Sequence, residues 1–134
     1  MEEIKRLELK DAMRIDSRGW SIDPFRTAGQ PAENVCGLHV VSITPGVSRG
    51  NHAHRGATEW LLVFGGSAKL ISRQGETSLT HEMDVSGDGP VLFEIPPKVE
   101  HAVVNTSEHI IYIIAFYDSP EADTVPCADR FEGS

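Results

Sequence analysis

The stretch Gly46-Val47-Ser48-Arg49-Gly50-Asn51-His52-Ala53-His54-Arg55-Gly56-Ala57-Thr58-Glu59 decides the reading of this chain. Residues two apart in a β-strand share a face, so His52 and His54 project side by side while Ala53 points away. A turn at Arg55-Gly56-Ala57 leads into a second strand that opens with Glu59. Leu61 and Val63 share the face of Glu59 and read as barrel interior, so the carboxylate points inward as well. A carboxylate among aliphatic side chains is strongly penalised unless it is paired or bound to a metal.

Further along, His101 opens another strand in which His101, Val103 and Asn105 share a face. An isolated His-x-His pair is commonly a surface or turn feature. An inward glutamate close by and a histidine on another apolar strand point instead to one shared site. Three neutral imidazoles and one carboxylate form a mixed nitrogen and oxygen donor set. That set suits one divalent transition metal, Zn, Fe, Mn or Ni, with Cu(II) also admitted and positions left open for water or substrate.

Around this stretch, apolar runs of four to eight residues alternate with Gly, Pro, Asn and Asp. Val35 to Thr44 precedes Pro45-Gly46, Trp60 to Phe64 ends at Gly65-Gly66, and Ala68 to Ser72 ends before Gln74-Gly75. Val91 to Ile95 stops at Pro96-Pro97, and His109 to Tyr117 stops at Asp118-Ser119-Pro120. Val, Ile and Phe dominate these runs, the pattern of many short strands in a sandwich or barrel. Closed or double-sheet architectures remove exposed edges, and roughly eight to eleven short strands fit a jelly roll whose mouth is a natural small-molecule site. Between Ile4 and Met13 a short helix and an extra strand are both open. Trp20, Ile22 and Phe25 are costly to expose together, so they are expected to cover the barrel or a subunit partner. The polar tail from Glu121 to Ser134 is expected to pack outside or fray.

The chain has 134 residues, a length that suits one domain over 1–134 with its own core and no need of disulfides. Its net charge of −8 disfavours nucleic acid and anionic membrane surfaces, yet local arginines can reverse the field inside a pocket. Met1 to Lys10 lacks the apolar stretch of a secretory signal, and Ile110 to Tyr117 is too short to span a bilayer. The expectation is a cytoplasmic protein in which Cys36 and Cys127 are free thiols, Cys36 as a buried small hydrophobe.

Gly46, His52, His54, Glu59 and Gly66 resemble the first cupin motif at every position. Pro96, His101 and Asn105 match the second motif, where Lys98 replaces the internal glycine and Pro90, beside Gly89, holds the leading glycine position. Those departures fall on turns rather than ligands. The resemblance covers about residues 35–118. It implies an all-β cupin double-stranded β-helix, a jelly-roll barrel with a short N-terminal extension, and it implies His52, His54, Glu59 and His101 as metal ligands.

Arg49 to His54 also resembles the Arg-Gly-x-His-x-His segment of nucleotide-sugar cupins. These include sugar 3,4-ketoisomerases and the C-terminal cupin domain of capsular polysaccharide reductases. Asp16-Ser17-Arg18-Gly19 is similar to the Asp-x-Arg-Gly segment of the ketoisomerases and of dTDP-4-dehydrorhamnose 3,5-epimerases. The resemblance implies that Arg18 and Arg49 offer forked donors to a substrate pyrophosphate. Ketoisomerases carry glutamine where this chain has Glu59, and they work without a metal, in which case His52 and His54 would be the catalytic bases. Glu59 resembles the metal-keeping members. The expected function is a metal-binding cupin acting on a carbohydrate or sugar nucleotide by isomerisation or epimerisation. An Fe(II) dioxygenase and a non-catalytic binding module are the alternatives. Small cupins are often homodimers, and the same is expected here. His39 is expected to line the barrel or meet a partner, His81 and His109 to lie on the surface, and Tyr112 and Tyr117 to pack or donate a proton.

Overall fold

The structure is a computed structural model and describes residues 3–9, 11–74, 79–128 and 130–131. The alternation of aliphatic side chains builds two antiparallel sheets that face each other. One joins β1 (Lys5–Leu7), β9 (Val91–Ile95), β6 (Glu59–Phe64), β11 (Ile111–Tyr117) and β4 (Cys36–Ile43), in that order. The other joins β12 (Thr124–Pro126), β5 (Ser48–His54), β10 (Val99–Asn105), β7 (Ala68–Gln74) and β8 (Thr80–Val85). A separate hairpin pairs β2 (Met13–Asp16) with β3 (Gly19–Ile22), and one short helix, α1 (Pro24–Ala28), follows it. This is the cupin jelly roll. The expected strands are all present, their ends moved by a residue or two, and the open choice near the N-terminus resolves as strand. The turn placed at Gln74-Gly75 falls partly outside the described residues. No helix among the described residues is long and apolar enough to cross a membrane.

Three apolar clusters hold these layers. Odd-numbered positions of β6, β9, β10 and β11, among them Val63, Phe93, Val103 and Ile113, fill the space between the sheets. Even-numbered positions of β6, β9 and β11 put Trp60, Leu62, Leu92 and Phe116 on the outer face of the first sheet. Leu7, Leu9, Ile22 and Phe25 pack over them, so the N-terminal apolar residues cover the chain's own barrel. Phe25 meets Phe116 edge-on at 5.0 Å between centroids, and Trp20 meets Phe64 at 5.4 Å. On the outer face of the second sheet, Ile71 and Ala102 are covered by Cys127 and Phe131 from the C-terminal segment. The described part of the tail is therefore packed. Cys36 is half-buried rather than buried, and Cys36 and Cys127 are both free thiols.

Two local irregularities aim the site. In the β5–β10 ladder His101 pairs with His52 but Ala102 pairs with Gly50, so Asn51 bulges out of register. The bulge needs positive φ at Gly50 (103°) and Asn51 (57°), and a Cβ on residue 50 would sit 2.9 Å from the His101 carbonyl oxygen. Its effect is on parity. His52 and Arg49, three residues apart, face inward opposite His101 and Val103. The second irregularity is the turn before β10. Lys98 adopts φ 72°, the conformation that the replaced motif glycine would supply, and its N–H donates to the His54 carbonyl at 2.8 Å.

Candidate metal centre

His52 and His54 on β5, Glu59 at the start of β6, and His101 on β10 converge at one end of the barrel. Each offers one ligand atom, and these atoms all lie within 4.8 Å of one another. His54, Glu59 and His101 are buried, and His52 is half-buried. This group could hold a metal ion.

The hydrogen bonds around it test whether a cation belongs there. The His101 Nδ1–H donates to the Val99 carbonyl at 3.0 Å, which leaves Nε2 with its lone pair. That lone pair faces Glu59 Oε1 at 2.9 Å, an acceptor meeting an acceptor. Such a contact is stable only with a cation, a proton or a metal ion, between the two atoms. His54 Nδ1 shares a hydrogen bond with Thr124 Oγ1 at 2.8 Å. Its Nε2 lies 3.2 Å from Glu59 Oε2 but off the line a hydrogen bond requires, so this buried nitrogen has no hydrogen-bond partner. Bare nitrogens and carboxylate oxygens pointing at one another are what a metal ion satisfies, so the donor set fits the group.

The electrostatics agree. Burial pushes the His52 imidazole down to about 4, helped by the neighbouring His101 and His54, so it presents a neutral nitrogen near neutral pH. Burial alone would raise Glu59, but the imidazoles of His101 and His54 outweigh it and hold the carboxyl well below the usual carboxylate range. Tyr117, at the end of β11, is pushed up by burial and by the Glu59 charge, so its phenol keeps its proton.

A cavity of about 420 Å³ opens above the cluster. His52, Glu59 and His101 form its polar floor, and Leu61, Val103 and Ile113 line its apolar wall. His54 lies beneath rather than in the lining. His39 and Tyr117 also line the cavity, their rings 5.8 Å apart and edge-on. His81 and His109 are exposed on the surface, as is Tyr112. Asn105, the last residue of the second motif, is structural: its Nδ2 donates to the Ile43 carbonyl at 2.9 Å and its Oδ1 accepts from Ser107 N at 2.9 Å.

The two arginines singled out in the sequence part company. Arg49 lines the cavity, its Nε donating to the Ser42 carbonyl at 2.8 Å. Arg18 sits on the β2–β3 hairpin with its side chain 88% exposed, ion-paired to Asp16 and outside the cavity lining. Two participants carried no sequence signal: Thr124, which orients His54, and Arg130, which joins Arg49 in the cavity lining. Both come from the polar tail.

Residues 14–125 match the family described as polysaccharide biosynthesis C-terminal domain. The chain is 28% identical over 120 residues to UDP-2-acetamido-2,6-beta-L-arabino-hexul-4-ose reductase of Pseudomonas aeruginosa, covering 87% of this chain and 31% of that protein. It therefore spans about a third of the length of that curated relative. Among solved structures, the capsular polysaccharide assembling protein CapF of Staphylococcus aureus aligns with TM-score 0.63 and 25% identity, over 86% of this chain and 33% of that one. A dTDP sugar isomerase from Desulfovibrio desulfuricans aligns with TM-score 0.78 and 14% identity, over 98% of this chain and 87% of that one. The second likeness concerns the fold alone.

Proposed function

The chain belongs to the polysaccharide biosynthesis C-terminal domain family, and from that premise we propose that it is a metal-dependent cupin acting on a nucleotide-linked sugar. The reaction class is isomerisation or epimerisation at a carbon beside a carbonyl. The ligands are His52, His54, Glu59 and His101, and the ion is one divalent transition metal: Zn, Fe, Mn or Ni. The observation that carries the reading is the acceptor-to-acceptor contact of His101 Nε2 with Glu59 Oε1, beside the orphaned His54 Nε2. The sugar-nucleotide class is supported by the names of the relatives and by an arginine in the cavity of an otherwise acidic chain.

When bound, such an ion supplies a Lewis acid that polarises a carbonyl oxygen and stabilises charge developing on it. The chain's own residues do the rest. The Val99 carbonyl fixes the His101 tautomer, and Thr124 fixes the ring of His54. The apolar wall of Leu61, Val103 and Ile113 excludes water from one side of the sugar. The Tyr117 hydroxyl, which keeps its proton, donates it in a hydrogen bond to the Glu59 carboxylate and so holds that group in place. The His39 ring, edge-on to Tyr117 in the same lining, is placed to meet the substrate. In a metal-free protein His52, which lines the cavity, would meet substrate, and His54 beneath it would not.

We further propose a homodimer. Leu38 (52% exposed) and Val40 (69% exposed) stand on the outward face of the edge strand β4, the kind of strand that a second copy covers. Arg18 would then contact substrate only in a partner copy's cavity. Light scattering reads the dimer, and a clean monomer overturns it.

Elemental analysis should find about one first-row metal per chain, lost in His52→Ala. Incubation of the loaded protein with UDP- and dTDP-4-keto sugars in heavy water should place deuterium on the sugar. Metal-free protein that takes up none on titration overturns the metal centre, and a full panel without exchange overturns the reaction class.

A further inference from the structure

The C-terminal segment is fastened to the strand that carries the metal-site histidines, and the fastening points all flank one residue. β12 pairs with β5, Thr124 opposite His54 and Pro126 opposite His52. Beyond it, Cys127 N–H donates to the Asn51 carbonyl at 2.8 Å, and Phe131 N–H donates to Asn51 Oδ1 at 3.0 Å. Both acceptors belong to the bulged residue of β5, whose carbonyl and side chain the bulge frees from the ladder. The Phe131 ring is 4% exposed, packed among Ile71, Ala102 and Cys127, with the Arg73 guanidinium 4.3 Å over its face. Arg130, immediately before the anchored Phe131, stands in the lining of the 420 Å³ cavity.

Arg49 stands in the same lining on β5 itself. Its Nε is spent on Ser42, which fixes the plane of its guanidinium and leaves the terminal nitrogens to a ligand. Neither arginine forms an ion pair among the described residues. Two guanidinium groups against the single carboxylate of Glu59 leave this lining net positive in a chain of net charge −8, so the local field opposes that of the whole surface.

We infer that Arg130 is a substrate-recognising residue, which with Arg49 forms a two-pronged subsite for a diphosphate at the mouth of the cavity. The inference rests on the sugar-nucleotide reading and adds to it the residue that would discriminate a diphosphate-linked sugar from a neutral one. The C-terminal segment is thus a wall of the binding site and not only a cover for the second sheet.

Calorimetric titration with inorganic pyrophosphate, UDP and TDP tests this on wild type, Arg130→Gln and Arg55→Gln, with metal content and melting temperature measured on each. Arg55 is also exposed but lies outside the cavity, so its loss controls for net charge. The expected result is roughly tenfold weaker nucleotide binding in Arg130→Gln, a shallower salt dependence, and unchanged metal content and melting temperature. Arg55→Gln should bind as wild type does. Pyrophosphate binding on its own, without gain from UDP or TDP, assigns the subsite to the diphosphate and denies a nucleoside pocket. Equal nucleotide binding in Arg130→Gln and wild type overturns the inference, as does equal weakening in both variants. Wild type that carries metal but binds none of the three probes overturns it too, and leaves the metal centre standing.

Discussion

The segment up to Ala28 lays Leu7, Leu9, Ile22 and Phe25 over the outer face of one sheet, and residues 124–131 lay Cys127 and Phe131 over the outer face of the other. Both ends of the chain therefore solve one problem, the apolar outer surface that each sheet of a jelly roll leaves behind. They differ in what else they touch. The N-terminal cover meets Trp60, Leu62, Leu92 and Phe116, whose side chains point away from the cavity. The C-terminal cover grips β5 at Asn51, bonds the ring of His54 and places Arg130 in the cavity lining. Burial alone does not separate a packing segment from a functional one. The hydrogen bonds that a cover makes to the strand beneath it do.

Damage to the two covers should therefore read out differently. Phe116→Ala removes a fully buried ring under the N-terminal cover and should cost about 3–5 kcal/mol of stability. Chemical denaturation measures this, and metal content per folded chain should be unchanged. A drop in metal content at equal folded fraction would break the distinction.

Phe131→Ala removes a ring from a smaller apolar cluster than that of Phe116 and should cost about 3 kcal/mol, the low end for such a change. Here the damage should reach the site, with nucleotide binding weakened along with stability. Retained binding in Phe131→Ala would mean that the tail covers and does not position.

Acid separates the two again. His52 titrates at about 4 in the folded chain against 6.5 in the unfolded one, so the unfolded chain binds the extra proton between these values. The stability contributed by neutral His52 is thus complete above 6.5 and is lost as pH falls towards about 4. Denaturation of chelator-treated protein across that window should show the slope, and His52→Gln should flatten it. Phe116→Ala should lower the whole curve without changing its slope.

The smallest effect belongs to a turn. Lys98 holds φ 72°, and Lys98→Gly should gain about 0.5–1 kcal/mol, strain relief set against the entropy of a freer unfolded chain. Thermal melts at equal metal loading would measure it, and a loss of stability would show that Lys98 makes contacts worth more than its strain.

Much of the barrel was legible because strand parity is a local property. Alternation placed Glu59 with Leu61 and Val63, and His101 with Val103 and Asn105, and the fold keeps each of these sets on one inner face. The convergence of His52, His54, Glu59 and His101 was readable for the same reason. What lay beyond reading was long-range. Arg130 and Thr124 sit in a polar tail without periodicity, and only tertiary hydrogen bonds to Asn51 and His54 give them a place. Arg18 stood near the site by resemblance, yet the hairpin that carries it packs on the opposite side of a sheet from the cavity. The inward aim of Arg49 was also hidden from simple counting, since it stands three positions from His52.

That count of three has a further meaning. A strand is read by its neighbours like a text with a two-letter frame, and the Gly50-Asn51 bulge is a frameshift within it. Upstream of the shift Arg49 faces in; downstream His52 and His54 face in. Deleting Asn51 would restore a single frame and leave Arg49 and His52 two positions apart, both still facing in. It would also take away the Asn51 groups on which the C-terminal segment hangs. The extra residue thus serves the tail rather than the register: its loss in a single genetic step would keep Arg49 in the cavity and unfasten the segment that carries Arg130.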